Sequence, residues 1–230
     1  MEKHAIIVAG GIGKRMNSDI PKQFIILAGK PVLMHTISAF FICDPEIKIT
    51  LVLPSEHICF WKKLCKEYNF SIKHKIVPGG EERFFSVKNG LDSVSNECLI
   101  AIHDGVRALI STELINRIFD YSGKYGNAIP VIPVNESVRE ILPGNLSKHI
   151  DRSLLKIVQT PQCFHSSVIK KAYEQEFNID QFTDDASVVE ATGIKINLIE
   201  GEKTNIKITT PDDLLIAEAL LETALNYKRE

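Results

Sequence analysis

The stretch Gly10-Gly11-Ile12-Gly13-Lys14-Arg15-Met16, followed by Pro21-Lys22-Gln23, is the first place where residue types in this sequence converge on a chemistry. Glycines at 10, 11 and 13 let the backbone approach a ligand closely, and their N–H groups can line a concave anion nest. Arg15 adds planar, forked donors for phosphate oxygens, and Lys22 a compact, movable charge. The combination points to a polyphosphate; a glycine turn followed by solvated basic residues is the plainer alternative. Two familiar phosphate loops do not fit. A P-loop needs glycine five residues before Gly13, where Val8 stands, and Ser or Thr after Lys14, where Arg15 stands. A dinucleotide fingerprint beginning at Gly11 needs glycine or alanine where Met16 stands.

Three further clusters carry chemistry. In Pro78-Gly79-Gly80-Glu81-Glu82-Arg83-Phe84-Phe85-Ser86, a glycine turn runs into a helix on which Arg83 and Ser86 share a side. Exposed backbone groups and a hydroxyl there could read cytosine, which offers an amino donor beside ring acceptors. Ser86 as an ordinary helix residue, with Arg83 in a salt bridge, fits equally well. His103-Asp104-Gly105-Val106-Arg107 places a carboxylate that could hold ribose or substrate hydroxyls or help position Mg²⁺. Arg107 would orient that carboxylate or touch a second substrate, and His103 reads as a packed histidine. The late cluster comprises Thr160-Pro161-Gln162, Thr183-Asp184-Asp185-Ala186-Ser187 and Asn205–Asp213. Helix capping by Thr183 or Asp184, and by Thr210-Pro211-Asp212-Asp213, explains most of it. Capping leaves Lys207, in an apolar strand-like setting, without a structural reason. The histidines show no metal-ligand spacing, so no zinc site is assigned.

These residues need elements to position them. Ala5–Ala9 is a short apolar run ending in glycines, as expected of a strand buried on both faces. Helical spacing over 31–41, a strand at Lys48–Leu53 and a helix from Ser55 to about Tyr68 follow. Next come a strand at Ser71–Val77, a helix to Leu91, a strand at Cys98–Ile102, a helix from Ser111 to about Tyr121 and a strand at Asn127–Val134. This alternation predicts a three-layer α/β, Rossmann-like fold with a mostly parallel sheet. The rhythm breaks over about 134–158, where strand-like pieces flank Pro143-Gly144-Asn145; a β-hairpin arm inserted in one domain of residues 1–230 is expected. Helices near 166–176 and 184–192, a strand at Lys195–Ile199 and a helix from Pro211 to about Tyr227 complete the pattern. Ligands of such sheets bind beyond the carboxyl ends of the strands, where all four clusters fall.

Composition narrows the class. With 44% apolar and 24% charged residues among 230, the chain is an ordinary globular domain that buries roughly 70–75% of its extended surface. The 27 basic and 29 acidic residues give a net charge of −2 and no electrostatic case for nucleic acid. No run approaches the ~20 apolar residues of a membrane span, and a cytoplasmic location is expected. The five cysteines, odd in number and without C-x-x-C spacing, read as buried thiols.

Taken in order, AGGIGKRM with PKQ, PGGEERFFSV, HDGVR, QTPQ, FTDDAS and NIKITTPDDL resemble the 2-C-methyl-D-erythritol 4-phosphate cytidylyltransferase family of the nucleotidyltransferases, from Ala9 to Leu214. The resemblance implies transfer of CMP from CTP to methylerythritol phosphate with release of pyrophosphate and use of Mg²⁺, held mainly by the CTP phosphates. It implies that Gly10, Gly11 and Gly13 cradle the triphosphate, with Arg15, Lys22 and Lys207 on the reacting phosphates. Gly80, Glu81, Arg83 and Ser86 would form the cytosine end, with Asp104 and Gly105 also on the nucleotide. Asp104, Arg107, Thr160, Thr183 and Lys207 would face the acceptor. Ser137 and Arg152, on the arm, would reach the neighbouring pocket across a homodimer. The sequence departs from the family at Ser137, where Thr is usual, and at Ala108, where proline is expected and whose loss could loosen the turn holding Arg107. Gly105 and Val106 stand where some members carry alanines. A ribitol-5-phosphate cytidylyltransferase is the nearest alternative; FTDDAS and R-x-x-S-V favour methylerythritol phosphate. A nucleotide-binding module without catalysis and an NAD(P)-dependent oxidoreductase are more distant.

Overall fold

Ala5, Ile7 and Ala9 pack into one core and Ile6 and Val8 into another. Successive side chains of a strand point to opposite faces, so an unbroken apolar run must be covered on both. The same division separates Leu51 and Leu53 from Val52, and Leu99 and Ala101 from Ile100 and Ile102. The computed structural model describes residues 1–11, 20–95, 97–175 and 179–227. Gly13 and Arg15 lie outside the described residues.

In chain order the elements are β1 (Lys3–Val8), β2 (Ile26–Leu27), β3 (Lys30–Pro31), α1 (Val32–Cys43), β4 (Lys48–Leu53), α2 (Ser55–Glu67), β5 (Lys75–Pro78), α3 (Arg83–Asp92), β6 (Leu99–Asp104) and α4 (Thr112–Tyr125). There follow β7 (Asn127–Pro133), β8 (Val138–Leu142), β9 (Leu146–Ile150), β10 (Lys156–Val158), β11 (Gln162–His165), α5 (Ser166–Tyr173), α6 (Asp185–Glu190), β12 (Leu198–Glu200) and α7 (Pro211–Tyr227). The central sheet has the order β10-β7-β11-β6-β1-β4-β5, with β12 also on β7. Strands β6, β1, β4 and β5 are mutually parallel, so Asp104, Val8, Leu53 and Pro78 end along one rim. Strand β11 runs antiparallel to both β6 and β7. Residues of α1, α2 and α4 fill one core, and residues of α3, α5 and α6 the other. The three-layer α/β expectation holds.

Several elements differ from the sequence reading. Strand β11 was not expected: four residues with polar ends give no alternation to read. The strand expected over Ser71–Val77 begins only at Lys75. His74 fixes the irregular stretch before it, accepting the Trp61 indole N–H at 2.9 Å and bonding the Ile72 carbonyl at 2.7 Å. The strand expected at Lys195–Ile199 is instead Leu198–Glu200, and the Lys207 segment is irregular rather than a strand. The helix expected over 184–192 is Asp185–Glu190, followed by Gly193 at φ 83°. Within 134–158, β8 and β9 pair only with each other, around Gly144 at φ 77°. The last part of the expected arm, β10, instead returns to the central sheet on β7. The cysteines carry free thiols; Cys98 and Cys163 are buried, but Cys59 is exposed on α2. Among the described residues, no helix is long and apolar enough to cross a membrane.

Candidate active site

A cleft of about 480 Å³ opens along the rim where the parallel strands end. It is lined by Gly10, Gly11, Lys22, Gln23, Gly80, Glu81, Glu82, Arg83, Ser86, Asp104, Val106, Lys207 and Thr209, with Val8 and Ala9 behind. A smaller hollow of about 210 Å³ adjoins it, lined by Arg107, Val158, Gln159, Thr160, Gln162, Thr183 and Asp184. Arg83, Asp104 and Lys207 line both.

Lys22 opens a single 3-10 turn that the next two residues anchor. The Gln23 amide donates to the Ala9 carbonyl at 3.0 Å, and Phe24 is buried beside Phe60 and Trp61. The Lys22 ammonium lies 4.0 Å from where a Cβ on Gly11 would sit, so it stands over the first glycine turn. At the second turn, a Cβ on Gly80 would come within 2.3 Å of the Phe85 Cβ, which only glycine avoids. Ser86 is buried, and its hydroxyl accepts the Gly80 N–H at 3.1 Å. Its hydroxyl therefore shapes the turn that carries Gly80 and Glu81.

Asp104 is the electrostatic centre. Lys207 Nζ lies 3.0 Å and Arg107 Nε 3.4 Å from its Oδ2, and Arg83 Nε lies 3.8 Å from its Oδ1. Burial alone would raise its pKa, but these cations override that and hold the carboxyl far below the usual range. The Asp104 N–H donates to Thr160 Oγ1 at 3.0 Å, and that hydroxyl pairs at 3.0 Å with His103 Nδ1. His103 Nε2 faces the Arg107 carbonyl at 3.2 Å. His103 is wholly buried, and burial lowers its pKa to about 4 despite Asp104. It is a packed, neutral histidine that cannot reach a substrate.

The late segment is tied to this centre at several points. Arg107 donates to the Asn205 carbonyl at 2.7 Å, Asn205 donates to the Thr160 carbonyl at 2.8 Å, and the Ile208 N–H reaches the Val106 carbonyl at 3.0 Å. Asp213 accepts the N–H groups of Thr209 and Thr210 at 2.8 Å each and the Thr209 hydroxyl at 2.7 Å. Lys207 thus has the structural reason that sequence did not supply: it is the near partner of Asp104, yet its side chain stays 42% exposed. On the other wall, the Gln162 amide donates to Asp184 at 2.8 Å and accepts the Ala186 N–H at 2.8 Å. Asp184 in turn caps α6 through the Ser187 N–H at 2.9 Å, which sets Thr183 beside the smaller hollow.

Most expected site residues therefore meet: Gly10, Gly11, Lys22, Gly80, Glu81, Arg83, Ser86, Asp104 and Lys207 in the cleft, and Arg107, Thr160 and Thr183 in the hollow. Three placements bear on the expected roles, and Arg107 takes the first of the two it was given. The Thr160 hydroxyl is spent on Asp104 and His103. Gly105 sits behind the cleft, where a Cβ would come within 2.9 Å of Ala9 and 3.0 Å of Leu33. Arg107 is buried and acts on Asp104 and the Asn205 carbonyl. Ala108 is buried in an apolar cluster, and the turn that holds Arg107 is closed by its N–H on the Asp104 carbonyl at 3.0 Å; the missing proline has not opened it. Ser137 and Arg152 are exposed on the arm segment and line neither cavity; Arg152 bonds the Asn135 carbonyl. Sequence reasoning placed Gln162, Asp185 and Asn205 in the late cluster without assigning them a role of their own, and missed Tyr173; their partners lie on distant segments.

Residues 3–223 match the family described as IspD, 2-C-methyl-D-erythritol 4-phosphate cytidylyltransferase. The protein of that name from Bacteroides fragilis is 52% identical over 221 residues, spanning 96% of this chain and 100% of that one. The one from Phocaeicola vulgatus is 51% identical over 222 residues, with 96% and 100% covered. A solved structure of 4-diphosphocytidyl-2C-methyl-D-erythritolsynthase from Anaerococcus prevotii superposes with a TM-score of 0.81 at 29% identity, covering 96% of each chain. That of the Francisella tularensis cytidylyltransferase gives 0.79 at 32%, covering 94% of this chain and 98% of its own. A glycine-walled cleft at the strand ends, cations gathered around one carboxylate and likeness along nearly the whole length agree: this chain belongs to the 2-C-methyl-D-erythritol 4-phosphate cytidylyltransferase family and is a nucleotidyltransferase that passes the cytidylyl group of CTP to that acceptor.

Proposed function

We propose that the transfer runs across the wall shared by the two cavities, with CTP in the larger cleft and the acceptor phosphate entering from the smaller hollow. The observation that carries this reading is that Lys22 and Lys207, from distant parts of the chain, line one cleft with the two glycine turns. A phosphate monoester oxygen of 2-C-methyl-D-erythritol 4-phosphate attacks the α-phosphorus of CTP in line, and pyrophosphate leaves, giving 4-diphosphocytidyl-2-C-methyl-D-erythritol. Both reactants are polyanions, so the protein's part is to offset their repulsion and align them. Lys22, beside Gly10 and Gly11, takes the triphosphate, and Arg15, outside the described residues, is expected to share that role. Lys207 has a fixed anchor in Asp104 and an exposed ammonium to turn toward the reacting phosphates. Gly80, Glu81 and Arg83 hold the cytidine end, the first two through backbone groups. The attacking phosphate is already ionised, so no general base is needed, in keeping with a buried His103.

The described residues do not fit a protein-held magnesium ion. They contain no group of three or more metal-ligating side chains, and the Asp104 oxygens face Lys207, Arg107 and Arg83. Magnesium is expected to arrive on the phosphates of CTP, and the roles above are those of the chain alone. The arm supplies the remaining part of this reading. Ile141, Leu146 and Leu154 are 77%, 65% and 81% exposed there, so a second copy would bury them while bringing Ser137 and Arg152 to the neighbouring acceptor site. The exposed apolar side chains of the arm support a homodimer, and a cytoplasmic location is expected for it. Coupled pyrophosphate release from CTP with methylerythritol phosphate, and separately with ribitol 5-phosphate, tests the reading. Turnover is expected with the first acceptor, and turnover with ribitol 5-phosphate alone refutes it.

A further inference from the structure

We propose that Asp185, backed by Tyr173, is a positioning residue that fixes the Arg83 guanidinium on the nucleotide wall and keeps it from displacing Lys207 at Asp104. This rests on Arg83 standing on that wall. Asp185 is completely buried in the first turn of α6, and its two oxygens receive Arg83 at 2.8 and 2.7 Å. Its Oδ1 also accepts the Tyr173 hydroxyl at 2.7 Å, and the Tyr173 ring stacks on Phe84 with centroids 4.6 Å apart. A forked pair fixes the plane of a guanidinium as well as its place.

The consequence lies at Asp104. Two oxygens there face Lys207 at 3.0 Å, Arg107 at 3.4 Å and Arg83 at 3.8 Å. With both terminal nitrogens bound to Asp185, Arg83 turns only its Nε edge toward Asp104, beyond hydrogen-bonding distance. Without the Asp185 charge, Asp104 becomes the nearest carboxylate to Arg83, and the side chain it displaces there is the more exposed Lys207. Asp185 thus divides the cations: Arg83 to itself, Asp104 to Lys207 and Arg107. Arg83 begins α3 on the cleft, whereas α6 follows Thr183 on the hollow, so one ion pair also sets the spacing of the two walls.

A clamp that merely joined α3 to α6 would lower stability and leave kinetics alone. Steady-state pyrophosphate release, run well below the melting temperature, separates the two for Asp185→Asn, Asp185→Glu, Tyr173→Phe and Arg83→Met. Asp185→Asn is expected to raise KM for CTP roughly tenfold or more, the scale of a lost hydrogen bond to a charged group, and to lower kcat as Lys207 loses its anchor. Asp185→Glu should recover part of both. Tyr173→Phe, which keeps the stacking on Phe84, should shift KM for CTP about twofold to threefold in the same direction, the scale of a single weakened bond; it decides the matter if Asp185→Asn does not fold. KM and kcat unchanged in these variants, with only a lower melting temperature, overturn the proposal. Arg83→Met separates the two layers. A KM moved by Arg83→Met but not by Asp185→Asn defeats the role of Asp185 alone. A KM indifferent to Arg83→Met removes Arg83 from the nucleotide wall, and this inference with it.

Discussion

Two cavities of similar size open at opposite ends of the parallel strands, and the same helix, α3, runs between them. The cleft of about 480 Å³ receives its N-terminus, and a cavity of about 420 Å³ receives its C-terminal side, at Ser93, Val94 and Ser95. The second cavity has the larger excess of cations, with Lys48, Lys73 and Lys75 against Glu2. A count of cations would choose it for an anionic ligand. Two of the three are held by the fold: Lys75 donates to the Ser93 carbonyl at 2.9 Å and Lys48 pairs with Glu2, while Lys170, outside the lining, caps the Val94 carbonyl. The carbonyl end of a helix attracts cations, and Lys75 and Lys170 answer it. At the other end Glu82, in the N-cap position, makes no side-chain capping bond, and the first turn of α3 lines the cleft. What separates the two ends is the direction of the helix: lysines close the carbonyl end of α3, whereas its amide end faces the cleft.

Lys207→Met or Lys22→Met is expected to lower kcat at least about a hundredfold, the ~3–4 kcal/mol typical of removing one preorganised donor from developing charge. Lys207→Met should also lower the melting temperature, because Asp104 loses its nearest cation. A kcat near that of the unaltered enzyme in either variant, measured by pyrophosphate release, contradicts the charge assignment.

The two ends share one feature, a buried neutral histidine. His4 bonds Thr50 at 2.8 Å behind the second cavity, and His103 lies under Asp104. Burial, reinforced by Lys48 at His4, lowers both pKa values to about 4 from 6.5. The unfolded chain therefore binds more protons between those values, and stability falls as pH drops from about 6.5 toward 4. Full expression amounts to on the order of 3 kcal/mol per histidine. Asp104, whose folded carboxyl is held far below the usual range, adds to the fall only below about pH 5, where its unfolded counterpart begins to bind protons. Thermal melts from pH 7.5 to 4.5 should show the fall, and a flat melting temperature down to pH 5 refutes it.

Which of these features could be read from the chain depended on distance in sequence. Gly10-Gly11, Gly79-Gly80, Asp104 and Lys207 stood out because local composition marks a turn, a strand end or a misplaced charge, and a parallel sheet brings its strand ends to one rim. The roles of Ser86 and Thr160 were not readable, since a hydroxyl that braces Gly80 or Asp104 looks the same in sequence as one that meets a ligand. Asp185 looked like one more acid at a helix start; only folding brings Arg83 and Tyr173 to it. Strand β11 was hidden for a related reason, because Gln162 is buried by its bonds to Asp184 and Ala186 rather than by being apolar.

The smallest expected effect sharpens the contrast from the other side. Lys75→Met removes a cation from the second cavity and the hydrogen bond that closes the Ser93 carbonyl. Such a contact at a helix C-terminus is worth about 0.3–1 kcal/mol, which in a chain of this size shifts the melting temperature by roughly 1–4 °C. KM for CTP and kcat should stay within about twofold, because the charge lost was answering backbone carbonyls and not phosphate. Assayed beside Lys207→Met, this variant removes the same charge from the opposite end of the sheet. A tenfold loss of turnover from Lys75→Met would mean that the two ends of the sheet are not independent.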